Sequence, residues 1–271
     1  MDLKDDESIQ PQHQVVSRVL ANLKREPGVR AVSLTGSLAK GTGDAYSDID
    51  LIVGVDPYYT ADIWANRHQI SAVSQHAILD LDHQWGDPST VSYAVLYETG
   101  VYLDLTLVDV RRMETSDALL LWKTASENAA DVDRAWHADL DIHSDPLDDA
   151  LRLFWIGSPL CAKYLLRQQL WTALWFIESR RTLFLKAWRL AHNPTRADWG
   201  WSKVHEDLPD TVLRDLAHTV TPLESPLLAQ SLAALMAMMA RYGPELADIY
   251  GVEYPEAAAS AVAQMVSRML A

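Results

Sequence analysis

The residues with chemical potential concentrate in one stretch, Gly36-Ser37-Leu38-Ala39-Lys40-Gly41-Thr42-Gly43-Asp44-Ala45-Tyr46-Ser47-Asp48-Ile49-Asp50-Leu51. A Gly-Ser step is followed, ten residues later, by two aspartates one residue apart. Alternate residues of a strand face the same side, so Asp48 and Asp50 present two carboxylates together while Ile49, Leu51 and Val53 turn to a core. Magnesium takes oxygen ligands and is held by one or two carboxylates plus substrate phosphates. Gly36 and Ser37 can offer backbone N–H groups and a hydroxyl to those phosphates with no Cβ in the way. A third carboxylate is expected from Asp104, because Leu103, Leu105 and Leu107 alternate with Tyr102, Asp104 and Thr106. An aspartate in so apolar a strand is costly unless paired or metal-bound. The same Asp-x-Asp spacing recurs at Asp80/Asp82, Asp131/Asp133 and Asp139/Asp141, without the glycine-serine turn before it.

Positioning these groups requires short strands over 31–34 and 49–53, joined by a loop over 35–48 that contains Gly36, Gly41 and Gly43. Val15, Val16, Val19, Leu20 and Leu23 fall at helical spacing, and Glu26-Pro27-Gly28 ends that pattern. Residues 60–79 read as helix. The segments 92–97 and 101–108 read as a hairpin around Glu98-Thr99-Gly100. Beyond residue 141 glycine thins out, and apolar-periodic stretches over 159–191, 227–242 and 255–270 predict a helical bundle. Proline near the starts at Ser158-Pro159, Ser225-Pro226 and Tyr254-Pro255 supports those helices, with Ser158 as an N-cap. The expected fold is therefore α+β, a mixed sheet with flanking helices over 1–141 followed by an α-helical domain over 142–271. The acidic stretch 139–149 is the expected boundary.

The chain has 271 residues, 49% of them apolar, enough to bury a sizeable core. Lys plus Arg number 23 against 37 Asp plus Glu, a formal charge of -14, which argues against nucleic acid or an anionic membrane as partner and favours a small or cationic one. The single cysteine, Cys161, permits no intramolecular disulfide. With an acidic start at Asp2 to Glu7 and no run of about eighteen apolar residues, the expected location is the cytoplasm. The nine histidines show no metal-ligand spacing and read as surface or structural.

Gly-Ser, ten residues, Asp-x-Asp and a later strand aspartate together resemble the signature of the DNA polymerase β-type nucleotidyltransferase superfamily. Val91 to Tyr97 with Val101 to Leu107, and Phe154-Trp155, Ser158 and Ala162-Lys163-Tyr164-Leu165-Leu166-Arg167, are similar to the streptomycin 6-adenylyltransferases. Those enzymes tend to carry Gly-Ser-Arg at the first turn, where this chain has Gly36-Ser37-Leu38. The resemblance implies two Mg²⁺ ions bridging the phosphates of ATP and an acceptor hydroxyl attacking the α-phosphorus. Asp48, Asp50 and Asp104 are then the metal ligands, with Asp104 also a candidate base. Lys163 and Arg167 lie four residues apart on one helical face, and Glu178, eleven residues on, returns to nearly the same stripe. The pair is expected to hold pyrophosphate, and Glu178 to be a second candidate base or an anchor for a ligand amine; the competing reading is a solvated helix face. Six tryptophans fall in the helical half and most are expected in the core, with Trp171 a candidate to stack on substrate. Asp139, Asp141, Asp145, Asp148, Asp149 and Glu178 are expected to line an acidic cleft. The favoured acceptor is an aminoglycoside such as streptomycin. A protein, another small molecule such as a lincosamide, or an antitoxin-type role are the alternatives; the Arg-x(4 to 6)-His motif of a HEPN-type partner is missing by one residue at Arg214 to His218.

Overall fold

The computed structural model describes residues 7–83, 90–113, 117–124, 140 and 145–271. The chain divides into two units, Met1–His143 and Ser144–Ala271. The expected boundary at 141/142, like Asp131, Asp133, Asp139 and Asp141, lies outside the described residues.

In the first unit, helix α1 (Gln10–Leu23) buries Val15, Val16, Val19 and Leu23, the stripe its spacing predicts. Strand β1 (Val29–Thr35) leads into a one-turn helix α2 (Gly36–Ala39), then strand β2 (Ile49–Val55). Two short helices, α3 (Thr60–Ala65) and α4 (Arg67–Ile70), precede strands β3 (Ala77–His83), β4 (Thr90–Tyr97), β5 (Tyr102–Asp109) and β6 (Leu119–Lys123). These strands form one sheet in the order β3-β4-β5-β2-β1-β6. Every neighbouring pair is antiparallel except β2 and β5, which run parallel with Asp50 opposite Asp104. Ile49, Leu51 and Val53 of β2 and Leu103, Leu105 and Leu107 of β5 are buried together with Val15, Val19 and Leu23 of α1 and Ile63 and Trp64 of α3. At about 1.5–3 kcal/mol per fully buried aliphatic or aromatic side chain, this layer sets the register, because a slip of one residue would turn the leucines out and the aspartates in.

The expected helix over 60–79 is a correction. The chain breaks at Asn66 and again after Ile70, and becomes a strand in which Leu79, Leu81 and His83 are buried alternately with Asp80 and Asp82. Apolar residues two apart served a sheet face, and the longer helical match was coincidental. The two intervening carboxylates have side-chain partners of their own: Arg67 donates to both oxygens of Asp82 at 2.7 and 2.8 Å, and Tyr93 donates to Asp80 at 2.6 Å. Strand β6, unanticipated in the sequence reading, pairs with β1 at the sheet edge.

The second unit is helical: α5 (Pro146–Ile156), α6 (Ser158–Leu166), α7 (Leu170–His192), α8 (Val204–Asp207), α9 (Asp210–Ala217), α10 (Ser225–Tyr250) and α11 (Glu256–Leu270). Ser158 does not cap α6. Its hydroxyl donates back to the Phe154 carbonyl at 2.7 Å, and Gly157 takes the N-cap position. The fully buried guanidinium of Arg189 fastens the segment after α7: it donates to Asp207 at 2.8 Å, to the Gly200 carbonyl at 2.6 Å and to the Ser202 carbonyl at 2.5 Å. Among the described residues no helix is long and apolar enough to cross a membrane.

Removing one partner of so buried a pair leaves an uncompensated charge, so Asp207→Asn is expected to cost about 3–5 kcal/mol of stability, read as a fall in Tm. Burial alone would push the Asp207 carboxyl up, but hydrogen bonds from Arg189 and Arg196 outweigh it and hold the group below its ordinary value. Its stabilising contribution is complete above about pH 4 and is lost as pH falls through the lower folded value. Acid titration of Tm should therefore be shallower in Asp207→Asn than in the unaltered protein; parallel curves would remove Asp207 from the account.

Candidate active site

Parallel pairing makes Asp50 of β2 and Asp104 of β5 register partners on strands about 4.8 Å apart. Both lie on the face opposite the leucine core, and the Asp104 side chain is 18% exposed, open enough to meet a ligand. Two like charges about 5 Å apart repel by about 1 kcal/mol in water and about 3 kcal/mol at an effective ε of 20. A cation between them reverses the sign of that term. Asp48 lies two residues ahead of Asp50, on the partly buried loop that enters β2.

The Gly36 turn lies against Asp50. Gly36 has φ +71°, in the left-handed region, and a Cβ placed there would fall 2.6 Å from Asp50 Oδ2. Only glycine lets the backbone pass so near the carboxylate. The loop behind it is tied by small polar groups: Ser37 Oγ donates to Ser47 Oγ at 2.9 Å, Ser47 Oγ to Asp44 Oδ1 at 3.1 Å, and Gln12 of α1 donates to the Ala45 and Ser47 carbonyls at 3.1 and 3.3 Å. In this arrangement the Ser37 hydroxyl is engaged with Ser47, so a phosphate would meet the amide edge of the turn before the hydroxyl. Thr35, the residue before α2, supplies no side-chain cap to those amides.

The donor set is hard oxygen throughout and fits magnesium. Among the described residues, however, no three His, Cys, Asp or Glu side chains form a ready-made metal cluster. Of the three expected ligands, Asp50 and Asp104 are register partners across the parallel strands. That is consistent with an ion that completes its shell with substrate phosphates, as magnesium does.

A polar row that strand alternation alone does not reveal lies beside Asp104. His83 Nε2 lies 3.2 Å from Asp104 Oδ2, and Thr106 Oγ1 donates to Asp104 Oδ1 at 3.3 Å. Ser92 Oγ is 2.8 Å from Thr106 Oγ1. The alternation Leu79, Leu81, His83 is a signal for the strand that carries His83, though not for its reach to Asp104.

In the second unit several expectations are overturned. The run over 159–191 is not one helix: α6 ends at Leu166, Gln168 adopts φ +56°, and α7 starts at Leu170. The helical stripe linking Lys163, Arg167 and Glu178 is therefore broken by that turn. Lys163 is buried, whereas Arg167 is half-buried and lies over the Tyr164 ring at 5.7 Å. Both oxygens of Glu178 are in use, one accepting from the Trp201 indole at 2.7 Å and the other from Arg181. Nor are most tryptophans of this half in the core: Trp171 is 76% and Trp175 64% exposed, with Trp199 and Trp201 also exposed, while Trp155 and Trp188 are buried. Trp171, Trp175 and Glu178, at i, i+4 and i+7, share one face of α7. The acidic stretch also has local duties. Asp145 caps α5 by accepting from Leu147 N at 2.9 Å, and Asp148 accepts from Arg152 at 2.8 Å. Asp149 is likewise partnered.

Residues 9–269 match the family model described as streptomycin adenylyltransferase. A crystal structure of an aminoglycoside 6-adenyltransferase from Bacillus subtilis is 16% identical, over 94% of this chain and 97% of its own, with a TM-score of 0.37. The STING-associated CdnE c-di-GMP synthase from Capnocytophaga granulosa is 15% identical over 97% of this chain and 81% of its own, with a TM-score of 0.27. No curated protein matches the sequence.

Gly36→Ala combines a left-handed strain of about 1–2 kcal/mol with a methyl group against Asp50. Gly41 also has positive φ, +66°, but its Cβ would meet open space. Both variants should lose a few degrees of Tm by calorimetry, and only Gly36→Ala should lose nucleotide binding; equal effects on binding would show that the turn acts by strain alone.

Proposed function

We propose that this chain, which belongs to the streptomycin adenylyltransferase family and is a nucleotidyltransferase enzyme, carries the adenylyl group of ATP to a hydroxyl of a small cationic acceptor, an aminoglycoside such as streptomycin. The observation that carries this reading is the pairing of Asp50 with Asp104, with the Gly36 turn against Asp50. The acceptor oxygen forms a bond to the α-phosphorus, the bond from that phosphorus to the bridging oxygen of pyrophosphate breaks, and the hydroxyl proton leaves to a base. Two magnesium ions, when bound, would neutralise phosphate charge and make the α-phosphorus more electrophilic.

The chain's own residues do the rest. The backbone of Gly36 and Ser37 orients the phosphates; Asp48, Asp50 and Asp104 are the groups that would hold the metal. Asp104 is also a candidate to take the acceptor proton, with Glu178 the second candidate. Lys163 and Arg167 remain the candidates for phosphate charge. The exposed face of α7 supports an acceptor role for Trp171 and Glu178: an aromatic ring beside a carboxylate suits a protonated amine or guanidine, and a cation over an indole contributes about 0.5–2 kcal/mol.

Asp50→Asn or Asp104→Asn should lower kcat by about a hundredfold or more, because charge at the phosphates is stabilised chiefly in the transition state, while Tm stays close to normal. Trp171→Ala is expected to raise KM for the acceptor by about 2- to 30-fold and leave KM for ATP unchanged. The acceptor class is tested by incubating the protein with ATP, Mg²⁺ and, separately, streptomycin, other aminoglycosides, lincosamides and protein extract. Mass gain of one adenylyl group on an aminoglycoside is the expected result; gain on a protein or lincosamide alone would overturn the acceptor assignment while leaving nucleotidyl transfer intact.

A further inference from the structure

Asp104 has its carboxylate gripped at both oxygens, and His83 supplies one of the grips. His83 ends β3, the strand separated from β5 by β4. In register, His83 is opposite Ser92 and Ser92 is opposite Thr106, so the three form a row across three strands; Asp104 lies one pleat along, opposite Ala94. The β4 residues the imidazole must cross are thus serine and alanine. Their small side chains leave room for the ring to reach diagonally until Nε2 is 3.2 Å from Asp104 Oδ2. On the other side Ser92 and Thr106 relay a hydrogen bond to Oδ1 at 2.8 and 3.3 Å. His83 is 8% exposed, where an imidazole is costly unless it is hydrogen-bonded.

We propose that His83 is the positioning residue of the nucleotidyl-transfer site. Donating from Nε2 to Oδ2 while Thr106 donates to Oδ1, it stops the Asp104 carboxylate from rotating, so that its remaining lone pairs face Asp50. The proposal rests on the reading of Asp104 as a metal-binding and reacting carboxylate. Partners that orient a ligating carboxylate are worth about 10- to 100-fold in metal affinity or activity when removed.

The test compares His83→Gln, whose amide nitrogen can stand where Nε2 stands, with His83→Asn, whose shorter amide cannot reach Asp104. The readouts are Mn²⁺ binding, followed by electron paramagnetic resonance with a non-hydrolysable ATP analogue present, together with kcat, KM and Tm. His83→Asn is expected to weaken Mn²⁺ binding and lower kcat by about 10-fold or more with KM for ATP little changed, and His83→Gln to recover most of both. In an Asp104→Asn background His83→Asn should add nothing further. Normal Mn²⁺ affinity and kcat in His83→Asn, or equal losses in the two variants that track Tm, would overturn the proposal and leave His83 a core residue. If Asp104→Asn itself is fully active, the reading of the site fails instead, and the two failures are told apart by that single variant.

Discussion

The parallel pairing of β2 with β5 is the constraint on which the rest depends. Parallel neighbours cannot be joined by a tight turn, so the chain between them must leave the sheet and return. It does so through α3, α4, β3 and β4. That excursion supplies the helices that cover one face and the two strands that extend the sheet, and it delivers His83 and Ser92 to the side on which Asp104 stands. The same pairing sets two carboxylates side by side against their mutual repulsion. The leucine and valine layer on the opposite face holds them there, because relieving the repulsion by a register slip would expose that layer.

Around this pair the local choices agree. Gly36 is required by a close approach of backbone to Asp50, and the loop that follows is anchored to α1 through Gln12. Asp50, Asp104 and the Gly36 turn are therefore attached to the most deeply buried part of the first unit. Asp80 and Asp82, on β3, have the same spacing; Tyr93 donates to Asp80 and Arg67 to Asp82. What distinguishes Asp50 is its cross-strand neighbour, Asp104 on the parallel strand β5.

The second unit uses its charges differently. Arg189 is spent entirely inside the fold, fastening the segment that carries Trp199 and Trp201 against α7. That fastening brings the Trp201 indole to Glu178. Buried ion pairing thus supports an exposed face on which aromatic rings and a carboxylate stand together, a surface whose chemistry matches an amine-bearing ligand. The acidic residues at the start of α5 have a humbler role, capping the helix and pairing within it.

Much of the first unit was legible in the sequence. Two-residue alternation about Asp50 and Asp104 identified both strands and their faces, and the glycine-serine step marked the turn, because these are local consequences of backbone geometry and side-chain type. The α+β architecture with a helical second half followed from periodicity in the same way. What local pattern could not contain was pairing. That β2 lies parallel to β5, that β3 is a strand and not the end of a helix, and that His83 reaches Asp104 across a row of small residues depend on which segments meet after the chain folds. The break at Gln168 is of the same kind: helical spacing continues through it, and the turn is decided by how α6 and α7 pack, with the Tyr164 and Phe176 rings stacked between them. Composition placed the tryptophans in the core because large apolar residues are usually buried; which of them remain outside was settled only by the tertiary packing that left one face of α7 uncovered.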